Sequence, residues 1–200
     1  MPLDRAYSKI VEGNVVLILD ELNQIESGAH YILIYDDLIT FRQIYSYYTK
    51  IQLEENNELV LLLPYYETTD TIRCRLRENE HACIDVRKYE KEGSLVIIDS
   101  VRAYFCSTSI MTFVERLVKH AEKLGKDGVT AIADMGAFFQ FNNSKNKKAS
   151  VMEYENSLPS KFYSKLKGFC CYDQKDFDRL TEYQKKKLLY NHSKGLVINK

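Results

Sequence analysis

The sequence predicts an α/β protein with a mostly parallel central sheet flanked by helices. Two observations carry this. From about residue 30 onward, apolar β-rich runs alternate with stretches of helical period, the pattern of successive βα units. Several of those runs also end in an acid, at Asp36, Asp99, Asp134 and Asp173, where the next helix or loop begins. A length of 200 residues suffices for one well-buried domain, with residues 1–27 as an N-terminal helical or extended segment and 28–200 as the main domain.

The elements follow in chain order. Val11, Val15, Ile18, Leu22 and Ile25 fall on one helical stripe, which reads as a dimerising helix, yet VVLIL at 15–19 reads equally as a strand docked on its own domain. HYILIY at 30–35 is a strand, followed by Leu38, Phe41, Ile44, Tyr45, Tyr48 and Ile51 on a wide helix face that Asp36 or Asp37 can cap. ELVLLLPYY at 58–66 is a buried strand stopped by Pro64, and 68–78 is a polar, arginine-bearing helix. CIDVRKYEKEGSLVIID predicts a short strand, a charged turn at Gly93 and a stronger strand over 95–98, with 100–108 irregular.

Ile110, Phe113, Val114, Leu117, Val118, Ala121 and Leu124 form an amphipathic helix closed by Gly125. VTAIAD at 129–134 is the next strand, and NNSKNKKAS at 142–150 is the most loop-like stretch, where the highest mobility is expected. A helix over about 149–166 leads to the strand FCCYD. Asp176 then caps a last helix that passes His192 before a strand at 195–198.

Composition excludes several classes. Lys plus Arg equals Asp plus Glu at 28 each, so no global field attracts nucleic acid. Five cysteines without a CxxC pair or a signal peptide read as a reduced, cytoplasmic chain. VVLIL is far short of the roughly 20 apolar residues that a membrane span needs. The 15 tyrosines suit a lined pocket or an interface, and equally a tyrosine-rich core.

The first strand also argues against ordinary nucleotide chemistry. A phosphate loop needs glycines there, followed by Lys and Ser or Thr, so that backbone N–H groups close around phosphate. Tyr35, Asp36, Asp37 and Leu38 stand in that position instead, and their charge repels a polyphosphate. Asp99 and Asp134 resemble metal-holding strand-end acids, although such acids more often cap the following helix. His30, His81, His120, His192 and the cysteines lack zinc-site spacing. Cys170 and Cys171 should face opposite sides of a strand. No GxSxG elbow and no cysteine beside a recognisable base is present, so no metal, cofactor or catalytic residue is assigned.

The order of these landmarks resembles the MEDS family, the sensory domain named from methanogens and methylotrophs and from the dichloromethane-responsive repressor. The resemblance covers about residues 28–198. It rests on His30, Tyr35 and Asp36 in the first strand, Ile84 to Val86, Gly93 to Ile98 and Ala103 to Phe105. It continues through Asp134 with Met135, Tyr154 with Glu155, Cys170 to Asp173 and the late His192. The chain departs at Asp134, where many bacterial members have Glu, and at the phenylalanines after Gly136, which replace a tryptophan-containing segment. Both departures bear on ligand identity.

The resemblance implies a three-layer, RecA-like architecture without a phosphate-binding loop. It further implies a non-catalytic sensory domain that binds a small organic molecule, such as a hydrocarbon derivative. Members occur alone or fused to histidine-kinase, anti-sigma or DNA-binding modules, so it implies signalling through a protein partner of the kinase or transcription-regulator kind. A homodimer through the N-terminal stripe is the other route. Tyr35, Tyr154 and Tyr172 would supply walls and hydroxyls, and Asp36, Asp134, Glu155, Asp173 and His192 the orienting polar contacts. Two rivals stand beside this reading: a degenerate RecA-like nucleotide-binding protein or ATPase, and a structural interaction module with a vestigial pocket.

Overall fold

The computed structural model describes residues 10–80, 82–105, 109–140, 147–162 and 165–198. Its seven strands are β1 (Ile10–Gly13), β2 (His30–Tyr35), β3 (Leu59–Leu63), β4 (Leu95–Ile97), β5 (Val129–Asp134), β6 (Leu166–Asp173) and β7 (Lys194–Ile198). They form one sheet in the order β1-β7-β2-β6-β5-β3-β4, and every pair is parallel. Such a sheet is covered on both faces, which is why β3 and β5 are buried at every position.

Among the described residues, ten helices make the outer layers. They are α1 (Val15–Asn23), α2 (Leu38–Glu54), α3 (Thr69–Glu78), α4 (Val86–Glu92), α5 (Ser100–Phe105), α6 (Ile110–Lys123), α7 (Ala137–Gln140), α8 (Lys147–Ser157), α9 (Gln174–Phe177) and α10 (Glu182–Asn191). One face packs α1 to α4 against Leu33, Tyr35, Val60, Leu62, Phe169, Cys171 and Leu196. The opposite face packs α6 against Leu59, Leu61 and Ala131, and α7 to α10 against Ile32, Ile34, Cys170 and Tyr172. Cys170 and Cys171 therefore do belong to opposite faces.

The chain leaves β2 through α2 toward one edge of the sheet, and leaves β6 through α9 and α10 toward the other. The adjacent strands β2 and β6 thus flank a topological switch point, where Tyr35 stands in register with Asp173.

Several expectations are corrected. The N-terminal stripe is divided: Val11 lies in β1, paired with β7, whereas Ile18 and Leu22 on α1 are buried against the chain's own core. Residues 86–92 form helix α4 instead of a turn, because Asp85 caps it through Lys88 N, Val86 and Tyr89 bury one face, and Gly93 closes it at φ +75°. Residues 100–105 are helical as α5, with Asp99 accepting from Arg102 N. The helix expected to reach 166 ends at Ser157, shortly before Pro159. Asp173, not Asp176, caps α9, and Thr181 with Gln184 forms a capping box on α10. Of the loop expected at 142–150, residues 142–146 lie outside the described residues and 147–150 belong to α8. No helix among the described residues is long and apolar enough to cross a membrane.

Candidate functional site

At the first strand end, Asp37 is fixed by its helix. Its Oδ1 accepts from Ile39 N at 2.8 Å and Thr40 N at 2.9 Å, and its Oδ2 accepts from the Thr40 hydroxyl at 2.7 Å. The carboxylate thus occupies the anion-binding position that the first backbone N–H groups of α2 create. Asp36 beside it is exposed. Asp173 is partly buried and accepts from Lys175 N at 2.8 Å, as a helix cap does.

Asp134 behaves differently because it is 3 % exposed. Its carboxylate accepts from Gly136 N at 2.8 Å and from the Tyr35 hydroxyl at 3.4 Å, and the backbone amides of Tyr66 and Tyr65 also favour its charged form. Burial nonetheless dominates and pushes its carboxyl up to about 7. Gly136 is required here, since a Cβ would come within 2.6 Å of both Tyr65 and Tyr66 rings. Tyr66 continues the network by donating its hydroxyl to buried Asp176, which also accepts from Gln140 Nε2 at 3.0 Å and Arg179 Nη1 at 3.1 Å. A cleft of about 20 Å³ lies beside Asp134, lined by Phe41, Tyr45, Pro64 and Glu67 among others.

A second polar centre lies on the face covered by α8 and α10. Strand alternation aims His30, Cys170 and Tyr172 at this face, while Tyr35 points to the other. The Tyr172 hydroxyl donates to Glu155 Oε1 at 2.5 Å, and Glu155 Oε2 faces His192 Nε2 at 3.5 Å. His30 lies with its ring centroid 4.0 Å from that of His192, and its Nε2 is 3.4 Å from Cys170 Sγ. The four residues His30, Glu155, Cys170 and His192 are all buried. Burial drives each group whose protonation it shifts toward the neutral form. The Glu155 carboxyl is pushed up, the Cys170 thiol well up, and the His30 imidazole down to about 4, with His192 adding to that last effect.

This centre borders a cavity of about 40 Å³ between the sheet and helices α6 and α8. Leu61, Leu63, Met111, Val114, Ala131 and Ala133 supply apolar walls, and His30, Cys170 and Tyr154 the polar edge. Phe162 closes one side, lying over Gly168, which has no Cβ to obstruct it, with its ring centroid 4.5 Å from that of His30. Tyr154 is partly buried among the rings of Tyr104 and Phe138, at 5.2 and 5.0 Å.

The eight residues singled out from sequence therefore separate into two groups. Tyr35 and Asp134 meet at the strand ends, with Asp36 and Asp173 nearby in the chain as a surface acid and a cap. Glu155, Tyr172 and His192 meet on the α8 face, with Tyr154 at the adjoining cavity. His30 and Cys170 complete the second centre, and Tyr66, Gln140 and Asp176 the first. Their separations in sequence carry no local signal. Only the pairing of β2 with β6 brings His30 and Cys170 together.

A parallel sheet with helices on both faces, a β2–α2 junction filled by its own acid, and two buried polar centres define a RecA-like α/β domain without a phosphate-binding loop. The chain belongs to the MEDS family, described as the MEthanogen/methylotroph, DcmR Sensory domain, whose model matches residues 29–192. The fold is similar to that of the KaiC-like protein PH0186 from the hyperthermophilic archaeon Pyrococcus horikoshii OT3. The TM-score is 0.57 at 15 % identity, covering 86 % of this chain and 71 % of that one. No curated protein matches the sequence.

Proposed function

We propose that this domain is a non-catalytic sensor that binds a small, largely apolar organic molecule and passes the resulting change to a protein partner. Membership of a sensory family supports the class. The observation that carries the ligand reading is the apolar cavity of about 40 Å³ with Tyr154, His30 and Cys170 at its edge. That volume holds a few water-sized groups, which fits a short halogenated hydrocarbon, alcohol or thiol better than a nucleotide. Tyr154 would orient the ligand. Glu155, Tyr172 and His192 lie behind it, where a displacement reaches α8 and α10 together. Binding signals only if it favours one arrangement of those helices over another.

A thermal-shift series of one- to four-carbon halides, alcohols and thiols tests the reading, with Ala133→Leu as the cavity-filling control. The expected result is a rise in Tm for the smallest members that is lost in Ala133→Leu. A ligand at 100 times its Kd adds about 2.7 kcal/mol of stability, which is readily measured. Absence of stabilisation by every member, or an equal shift in the filled variant, would refute the cavity as the site.

A further inference from the structure

We propose that His30, Glu155, Cys170 and His192 form a tetrahedral transition-metal site of zinc type. Each contributes one donor atom, and the four atoms lie within 4.8 Å of one another. For metal bonds of about 2.0–2.3 Å, the edges of a ligand tetrahedron are about 3.3–3.6 Å. His30 Nε2 to Cys170 Sγ is 3.4 Å and His192 Nε2 to Glu155 Oε2 is 3.5 Å, so two opposite edges already have the required length. From the 4.8 Å limit, the widest separation needs to close by about 1.2–1.5 Å.

The surroundings prepare both imidazoles for coordination. His30 Nδ1 lies 2.9 Å from the Pro159 carbonyl oxygen and His192 Nδ1 lies 2.7 Å from the Leu188 carbonyl oxygen. A carbonyl only accepts, so each Nδ1 carries the proton and each Nε2 presents its lone pair to the centre. This is the outer-sphere arrangement that orients metal-bound histidines. Tyr172 does the same for the acid by donating to Glu155 Oε1, which turns Oε2 inward. That inner oxygen is fully buried and accepts no hydrogen bond among the described residues.

Charge and chemistry agree with the geometry. A divalent ion with one thiolate, one carboxylate and two neutral imidazoles has zero net charge, the form least penalised in a buried site. The N₂SO donor set is borderline in softness, which suits Zn²⁺ and excludes Mg²⁺ or Ca²⁺, whose ligands are oxygens. Coordination displaces the Cys170 thiol proton to solvent, so uptake strengthens as pH rises. The site stands independently of whether the neighbouring cavity takes an organic ligand.

The test uses the full chain, stripped with chelator and titrated with Co²⁺ and then Zn²⁺. The expected result is one Co²⁺ per chain, a thiolate-to-cobalt charge-transfer band, its loss on adding Zn²⁺, and a higher Tm with either metal. The band should vanish in Cys170→Ser and persist in the Cys74→Ser/Cys83→Ser double variant. Should Cys170→Ser fail to fold, His192→Gln and the wild-type titration still decide, because the band needs no variant to be seen. A spectrum without charge transfer and an unchanged Tm would mean that Glu155 and His192 merely share a proton, and would overturn the proposal. A band lost with Cys83 instead of Cys170 would overturn it as well.

Discussion

Replacing Asp134 by Asn removes a titration that the fold has displaced far from its ordinary range. The carboxyl stands at about 7 in the folded protein against 3.8 ordinarily, chiefly because it is buried. Between those values the folded protein holds a proton that the unfolded chain has released, so stability falls as pH rises through the window and levels off above about 7. At about 1.4 kcal/mol per pH unit, the whole displacement is worth about 4 kcal/mol, fully present below 3.8 and gone above about 7. Asn keeps an acceptor for Gly136 N and does not titrate. The stability of the wild type relative to Asp134→Asn should therefore drop by about 3 kcal/mol between pH 5 and pH 8. Taking the difference between the two proteins cancels the titration of Glu155 and His30. Urea denaturation followed by circular dichroism at pH 5, 6, 7 and 8 measures it. A difference that stays constant across that range would show that Asp134 is ionised throughout, and that its N–H donors outweigh burial.

Three further outcomes follow from named contacts. Lys167→Met should cost about 3–5 kcal/mol by leaving Glu58 without its cation, 2.7 Å away in a buried pair, and most of that loss should return in Glu58→Gln/Lys167→Met; urea midpoints give both values. Asp37→Ala should cost about 1–2 kcal/mol through the loss of the α2 cap, read as a lower Tm at neutral pH. Gly136→Ala should cost about 1–3 kcal/mol, since its methyl meets the Tyr65 and Tyr66 rings at 2.6 Å, and tyrosine fluorescence of the folded state should change with it.

The parts of the fold that were legible in sequence are those where one physical signal acts alone. β2, β3, β5 and β6 are buried apolar runs with clear ends, and α6 has an apolar stripe that tertiary contacts only confirm. Helix α4 was obscured because it buries just Val86 and Tyr89 and is decided by its two caps, Asp85 and Gly93. α5 likewise buries Ser100 and leaves the rest of its six residues partly exposed or exposed. The chemistry was less legible than the frame. Tyr172, Glu155 and His192 stand out in sequence only as separate candidates, and their grouping with His30 depends on the β2–β6 register and on α8 and α10 folding over one face. Asp134 and Asp173 look alike at their strand ends, yet one is enclosed by Tyr35, Tyr65 and Tyr66 and the other caps a helix in partial contact with water. Burial decides between those roles, and burial is a property of the assembled layers.

The carboxylate at the start of α2 leaves that helix terminus with a single form. A phosphate bound at such a terminus comes and goes, so the terminus has a loaded form and an empty form, and motion can follow the exchange. Asp37 is covalently attached two and three residues from the amides, and three from the hydroxyl, that it satisfies, at an effective concentration no free anion matches. The α2 terminus is thereby held in one electrostatic condition, set by the chain itself and not by any dissolved anion.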